Sequence, residues 1–88
     1  MHEVRIPKLG TQIEDAEITE WVAAEGEKVT ERQVLVVLET EKSSYDLESE
    51  FKGILHIIVE ASDERVDAGV LIAVLADSEE EYEKIKSM

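Results

Sequence analysis

The sequence predicts an all-β domain, two similar sheets packed face to face with a short C-terminal helix or tail. Three observations predict it. Short apolar runs are punctuated by frequent turn residues, and no helical period runs through residues 1–76. The segment from Ile18 to Glu39, moved forward by 37 positions, lies on Leu55 to Ala76. Ten of its 22 pairs are apolar in both copies: Ile18/Leu55, Trp21/Ile58, Val22/Val59, Ala24/Ala61, Val29/Val66, Val34/Leu71, Leu35/Ile72, Val36/Ala73, Val37/Val74 and Leu38/Leu75. Composition alone would give about four. Glu27/Glu64 and Lys28/Arg65 place like charges at the equivalent turn. Two copies are too few for a solenoid, so they imply a quasi-twofold pair with the hydrophobic positions inside.

The third observation is a hairpin. Two strand-like runs, Val34 to Thr40 and Ser43 to Ser49, leave only Glu41 and Lys42 to turn the corner. Pairing Thr40 with Ser43, Leu38 with Tyr45, Val36 with Leu47 and Val34 with Ser49 makes one face mostly apolar. Glu39 with Ser44, Val37 with Asp46 and Leu35 with Glu48 then share the other. A one-residue slip would destroy that sorting. Lys42 therefore stands at the tip. Glu-Lys is a poor match to the Asn-Gly or Asp-Gly of primed two-residue turns, so a type I turn is expected there.

In chain order, Glu3 to Pro7 is a short strand with one wet face, and Pro7 ends it or marks a sheet edge. Lys8 to Gln12 forms a loop, with Gly10 at a backbone position other residues would resist. Ile18 to Ala23 is a strand whose Trp21 reads as core rather than as a binding platform. Glu25 to Lys28 turns and Val29 re-enters the core. After the hairpin, Phe51 to Gly53 breaks the pattern and Ile54 to Val59 resumes it. His56 has no second histidine nearby, so an ordinary strand position is expected rather than a metal ligand, and His2 is terminal. Ser62 to Arg65 turns, Val66 re-enters, Gly69 turns again, and Val70 to Leu75 closes the fold. Residues 1–76 form the domain and 77–88 an acidic tail. In that tail Ser78 to Glu81 is a capping box, Glu80 and Lys84 are spaced i, i+4, and Tyr82 and Ile85 share one side.

Composition excludes several function classes. With 9 basic and 22 acidic residues the formal charge is −13, so phosphate backbones and anionic membranes are repelled and a partner with a basic surface is favoured. No cysteine is present, which removes disulfides, thiolate metal sites and cysteine nucleophiles. No apolar run reaches bilayer length and no signal-peptide pattern opens the chain, which reads as soluble and intracellular. So many carboxylates make close pairs inevitable, and Glu14 with Asp15 or Asp46 with Glu48 reads as solvated surface. No nucleophile signature, glycine-rich phosphate loop or metal-ligand cluster occurs, so no catalytic residue is expected. Lys42 remains, a primary amine with no packing role: a solubilising turn lysine, or an acceptor for a covalent group.

The surroundings of Lys42 separate those readings. Pro7, Leu9-Gly10, Trp21, Glu25-Gly26 with Val29, Glu39-Thr40-Glu41-Lys42 and Gly53 occur in an order that resembles the lipoyl domain of 2-oxo acid dehydrogenase complexes, over residues 3–76. The resemblance implies a flattened eight-stranded β barrel of two four-stranded sheets, a barrel-sandwich hybrid. It implies lipoate in amide linkage to Lys42, flanked by Glu39, Thr40, Glu41 and Ser43. The partners implied are a lipoate-protein ligase or lipoyl transferase, a 2-oxo acid decarboxylase component, an acyltransferase core and the flavoprotein dihydrolipoamide dehydrogenase, in the bacterial cytoplasm or the mitochondrial matrix. The domain itself would be a monomer. The loop Lys8, Leu9, Gly10, Thr11, Gln12, Ile13, Glu14 would help the decarboxylase recognise its proper domain. Pro7 to Gly10 leans toward pyruvate or acetoin complexes.

Departures from the family pattern are Glu41 for Asp, Ser43 for Ala, and Ala16, Arg32 and Ser62 where glycine is usual, which leads one to expect reshaped turns. A biotin carrier shares the fold, but its lysine sits between methionines, and here both methionines are terminal. An unmodified interaction module of the same fold is the third reading.

Overall fold

The computed structural model describes residues 1–88. Eight strands precede one helix: β1 (His2–Arg5), β2 (Asp15–Trp21), β3 (Lys28–Val29), β4 (Val34–Glu39), β5 (Ser44–Glu48), β6 (Gly53–Ile57), β7 (Arg65–Asp67), β8 (Leu71–Ala76) and α1 (Glu79–Lys86). The expected strands all form, with ends displaced by at most three residues; β2 in particular begins at Asp15 rather than Ile18. Two antiparallel four-stranded sheets result, ordered β1-β8-β6-β3 and β5-β4-β2-β7. Their facing sides carry the core, in which Ile18, Leu35, Leu38, Leu55, Ile72 and Leu75 are fully buried.

The two sheets repeat each other in strand order and in much of their register. Lys28 pairs with Ile54 and Val29 with Gly53, as Arg65 pairs with Glu17 and Val66 with Ala16. β1 against β8 matches β5 against β4, so the start of the chain completes one sheet as the hairpin completes the other. Gly53 faces Ala76 and Leu75 so closely that an added Cβ would lie 2.9 Å from each.

The single offset of 37 does not hold throughout. Thr19 is an extra residue in the β2–β4 ladder, where the register shifts between Ile18 and Glu20. Trp21 lies opposite Val36 and Ile57 opposite Ala73, so the structural mates are Trp21/Ile57 and Val22/Ile58. Val22 and Ile58 are correspondingly both exposed, at 52% and 47%. The pairs Trp21/Ile58, Val22/Val59 and Ala24/Ala61 are thus one residue out of step. The turn before β7 absorbs the difference.

Two further expectations are corrected. The hairpin keeps its register from Glu39–Ser44 to Val36–Leu47, but Val34 then faces Glu48 because Leu35 bulges out of the ladder. Leu35 carries its side chain into the core, and its carbonyl accepts from both Val22 N (2.8 Å) and Ala23 N (3.1 Å). Ile72 does the same for Ile58 N and Val59 N. Second, the turn at Arg32 is not reshaped. Arg32 holds φ 70°, and its repeat mate Gly69 holds φ 91°. Gln33 N donates to Thr30 O as Val70 N donates to Asp67 O, so both turns place their left-handed residue third, as in type II. Trp21 is half-buried against the core, and its Nε1 donates to Val59 O at 2.9 Å.

The helix docks. Ser78 Oγ accepts from Glu81 N (3.1 Å), and the Glu81 carboxylate accepts from Asp77 N (2.9 Å). Tyr82 packs with Ile54 and Ala76 on the outside of the first sheet. Its hydroxyl donates to Glu25 Oε2 (2.7 Å), which also lies 2.9 Å from His56 Nδ1, while Ile57 N donates to Glu25 Oε1. His56 thus has a carboxylate partner that its strand pattern did not disclose. The N-terminal ammonium bonds Asp77 at 2.8 Å, which joins the start of β1 to the end of β8 at the place equivalent to the hairpin tip in the other sheet.

Candidate functional site

The β4–β5 hairpin ends at Thr40 to Ser43, and Glu41, Lys42 and Ser43 are all exposed. Thr40 N donates to Ser43 O at 2.9 Å, closing the ladder. Ser43 N, however, bonds Thr40 Oγ1 at 3.2 Å, and Lys42 N bonds the same oxygen at 3.2 Å. The hydroxyl in turn donates to Ser43 O at 3.1 Å. A side chain therefore ties the corner that a backbone carbonyl closes in a type I turn, as threonine does in local turn motifs. Neither Glu41 nor Lys42 has positive φ, so no primed turn forms. Thr40 is 6% exposed, and this buried hydroxyl explains how a poor turn dipeptide is held without glycine.

The Lys42 ammonium makes no hydrogen bond or ion pair; its main-chain N–H alone is engaged. A shallow cleft of about 140 Å³ lies beside it, lined by Gln12, Ile13, Glu14, Asp15, Glu41, Lys42 and Arg65. The expected recognition loop is therefore only partly at the tip. Gln12, Ile13 and Glu14 reach the cleft, whereas Lys8 borders a neighbouring depression that Ile13 and Glu14 share with Asp67 and Ala68, and Leu9 packs half-buried against the core. Gly10 and Thr11 form the turn leading to Ile13, which returns a bond to Gly10 O. Gly10 does not occupy a left-handed conformation; a Cβ there would come within 3.1 Å of Ile13 Cδ1, a tight contact that the end of the isoleucine side chain would have to yield to.

Arg65 was not expected at the site, and Asp15, expected with Glu14 as solvated surface, has a specific partner there. Arg65 projects from β7, and its Nε (3.1 Å) and Nη2 (2.8 Å) both donate to Asp15 Oδ1 at the start of β2. Hydrogen bonding to Asp15 raises the Arg65 pKa, and the charges of Asp15, Glu41 and Glu17 act in the same direction against partial burial. The one sequence signal was the Lys28/Arg65 match in the repeat.

The family model described as "Biotin-requiring enzyme" (Biotin_lipoyl) matches residues 2–75. Component 4 of the Arabidopsis thaliana chloroplastic pyruvate dehydrogenase complex, a dihydrolipoyllysine-residue acetyltransferase, is 33% identical over 86 residues, covering 98% of this chain and 18% of that protein. The acetyltransferase component of the Pseudomonas putida acetoin cleaving system is 28% identical over 88 residues, covering 100% of this chain and 24% of that protein. The chain thus spans about a fifth of the length of these relatives. The solution structure of the lipoyl domain of the Azotobacter vinelandii 2-oxoglutarate dehydrogenase complex superposes with a TM-score of 0.71 at 24% identity, covering 89% of this chain and 99% of that one, and shows the same fold. The chain belongs to the Biotin_lipoyl family.

Proposed function

We propose that the chain is a lipoyl carrier, with lipoate attached through an amide to Lys42 Nζ. The observation that carries this reading is an exposed, unpaired amine on a corner that Thr40 holds rigidly. An amine without an ion-pair partner needs no bond broken before an acyl donor reaches it, and a tip with no strand beyond it can enter a ligase cleft. Bound there, lipoate supplies a dithiolane that takes up an acyl group together with two electrons. The chain's own residues orient and present the attachment point and perform no turnover: Thr40 fixes the direction in which Lys42 leaves the hairpin, and Glu39, Glu41 and Ser43 form the surface an enzyme reads around it.

The relatives support carriage of an acyl group in a 2-oxo acid dehydrogenase complex. Pyruvate and acetoin proteins are among them, and so is the succinyltransferase component of the Staphylococcus saprophyticus 2-oxoglutarate complex at 32% identity. The partners follow in the proposal: a decarboxylase component, an acyltransferase core and dihydrolipoamide dehydrogenase. Weak docking suffices for each because a tethered arm reaches every active site at high effective concentration. Residues 1–76 are read as the carrier unit, with α1 an extension docked on it.

Intact mass after incubation with lipoate-protein ligase, lipoic acid and ATP tests the reading, with biotin ligase, biotin and ATP in parallel. A lipoyl increment that maps to Lys42 and vanishes in Lys42→Ala is expected. A biotinyl increment would favour the biotin carrier, and no increment from either enzyme an unmodified module.

A further inference from the structure

The cleft beside Lys42 has two walls from separate parts of the chain. Gln12 to Asp15 enter from the loop before β2, and Glu41 and Lys42 from the hairpin. Three of those six residues are carboxylates, and Glu17 faces Glu39 directly across the β2–β4 ladder just below. Like charges paired across strands repel, so the walls and the row beneath them push apart. Arg65 is the cleft's one cation besides Lys42. It faces Glu17 across the β2–β7 ladder and reaches two residues along β2 to grip Asp15. The bonds from Nε and Nη2 leave Nη1 without a partner on a side chain whose field extends to Glu41.

We propose that Arg65 is a positioning residue: by fastening Asp15 to β7 within a ring of carboxylates it fixes the base of the Gln12–Glu14 wall beside the hairpin, and so shapes the surface that modifying and acylating enzymes read around Lys42. The proposal rests on the reading of Lys42 as the lipoyl acceptor. Its repeat mate Lys28 lies at the opposite end and meets Glu79 of the helix at 3.5 Å, with a single ammonium and no forked grip. A guanidinium at position 65 brings two donors, Nε and Nη2, onto the one oxygen Asp15 Oδ1, and Nη2 also reaches Asp15 O at 3.4 Å.

The test compares Arg65→Gln, Arg65→Lys and the exchange Asp15→Arg/Arg65→Asp with wild type. The readouts are the initial rate of lipoyl mass gain with lipoate-protein ligase, lipoic acid and ATP, and amide hydrogen exchange over residues 10–15. The Arg65–Asp15 pair is exposed, so the fold survives these changes, and far-UV circular dichroism verifies that it does. Arg65→Gln is expected to slow modification about tenfold and to accelerate exchange in the loop. Lys should restore part of the rate and the charge exchange most of it. If Arg65 were only surface charge, Arg65→Gln would make the face more acidic and speed docking to a basic enzyme, and the exchange would change nothing; wild-type or faster modification with unchanged hydrogen exchange overturns the proposal. Failure of wild type to gain lipoate overturns the reading of Lys42 instead. In that case the exchange data alone decide: unaltered exchange at residues 10–15 in Arg65→Gln refutes the positioning role, and accelerated exchange upholds it.

Discussion

At the scale of single residues, the tip depends on a hydroxyl and the far turn on a strained arginine. Thr40 Oγ1 serves two N–H groups and one carbonyl. Thr40→Val keeps the volume and removes all three bonds, so it should cost about 1–3 kcal/mol by urea unfolding and blur the direction of Lys42, slowing lipoylation. Arg32 occupies a left-handed conformation that disfavours any side chain, while the identical turn in the other half has Gly69. Arg32→Gly should therefore stabilise the fold by about 1 kcal/mol, seen as a higher urea midpoint at unchanged slope. Lys42→Ala, by contrast, should leave stability within about 0.5 kcal/mol, since an exposed turn side chain buries little.

At the scale of elements, α1 is the part whose fate its own residues left undecided. Eight residues make a marginal helix in isolation, and its cap and Glu80–Lys84 pair add only tenths to about a kilocalorie. Docking through Tyr82 supplies the rest, and that contact carries a pH signature. The hydrogen bond to Glu25, with burial and the Glu25 charge, raises the Tyr82 hydroxyl from 10.0 to about 12. The folded protein then keeps a proton that the unfolded chain has lost, so this contribution is full below about pH 10 and disappears as pH rises through about 12. Burial pushes Glu25 upward, but bonds from His56, the Ile57 N–H and Tyr82 outweigh it and hold the carboxyl below its ordinary 4.5. Its contribution has the opposite sign: present above 4.5, lost as pH falls further. Ultraviolet titration at tyrosine wavelengths should show one hydroxyl ionising near 12. The transition should move to lower pH in Glu25→Gln, with the helix released at that lower pH by circular dichroism.

At the scale of the whole molecule, a charge of −13 on a body 39 × 25 × 19 Å across favours expansion and governs encounter. Raising ionic strength from about 0.01 M to about 0.15 M shortens the screening length from about 30 Å to about 8 Å. Thermal midpoint should rise over that range, and the association rate with a basic enzyme should fall. A midpoint that drops with added salt would show that ion pairs such as Arg65–Asp15 and the N-terminus with Asp77 outweigh the general repulsion.

The apolar run from Val34 to Leu38, the interruption at Glu41-Lys42 and the second copy starting near Leu55 determined the two-sheet fold and the tip, because short apolar runs bounded by turn residues mark buried strands along the chain itself. The features that tertiary structure decided leave no such mark. Leu35 enters the core through a bulge, Thr19 puts one strand a residue out of step, and Arg32 takes the conformation its turn requires against its own preference. Thr40 became the clasp of the hairpin, and Asp15 met Arg65 across 50 residues of chain. Thr40 and Arg32 act within their own turns, whereas the bulge at Leu35, the extra Thr19 and the Asp15–Arg65 pair depend on where another segment comes to rest. Such a partner is fixed only once the strands have paired, which sets residues far apart in sequence side by side.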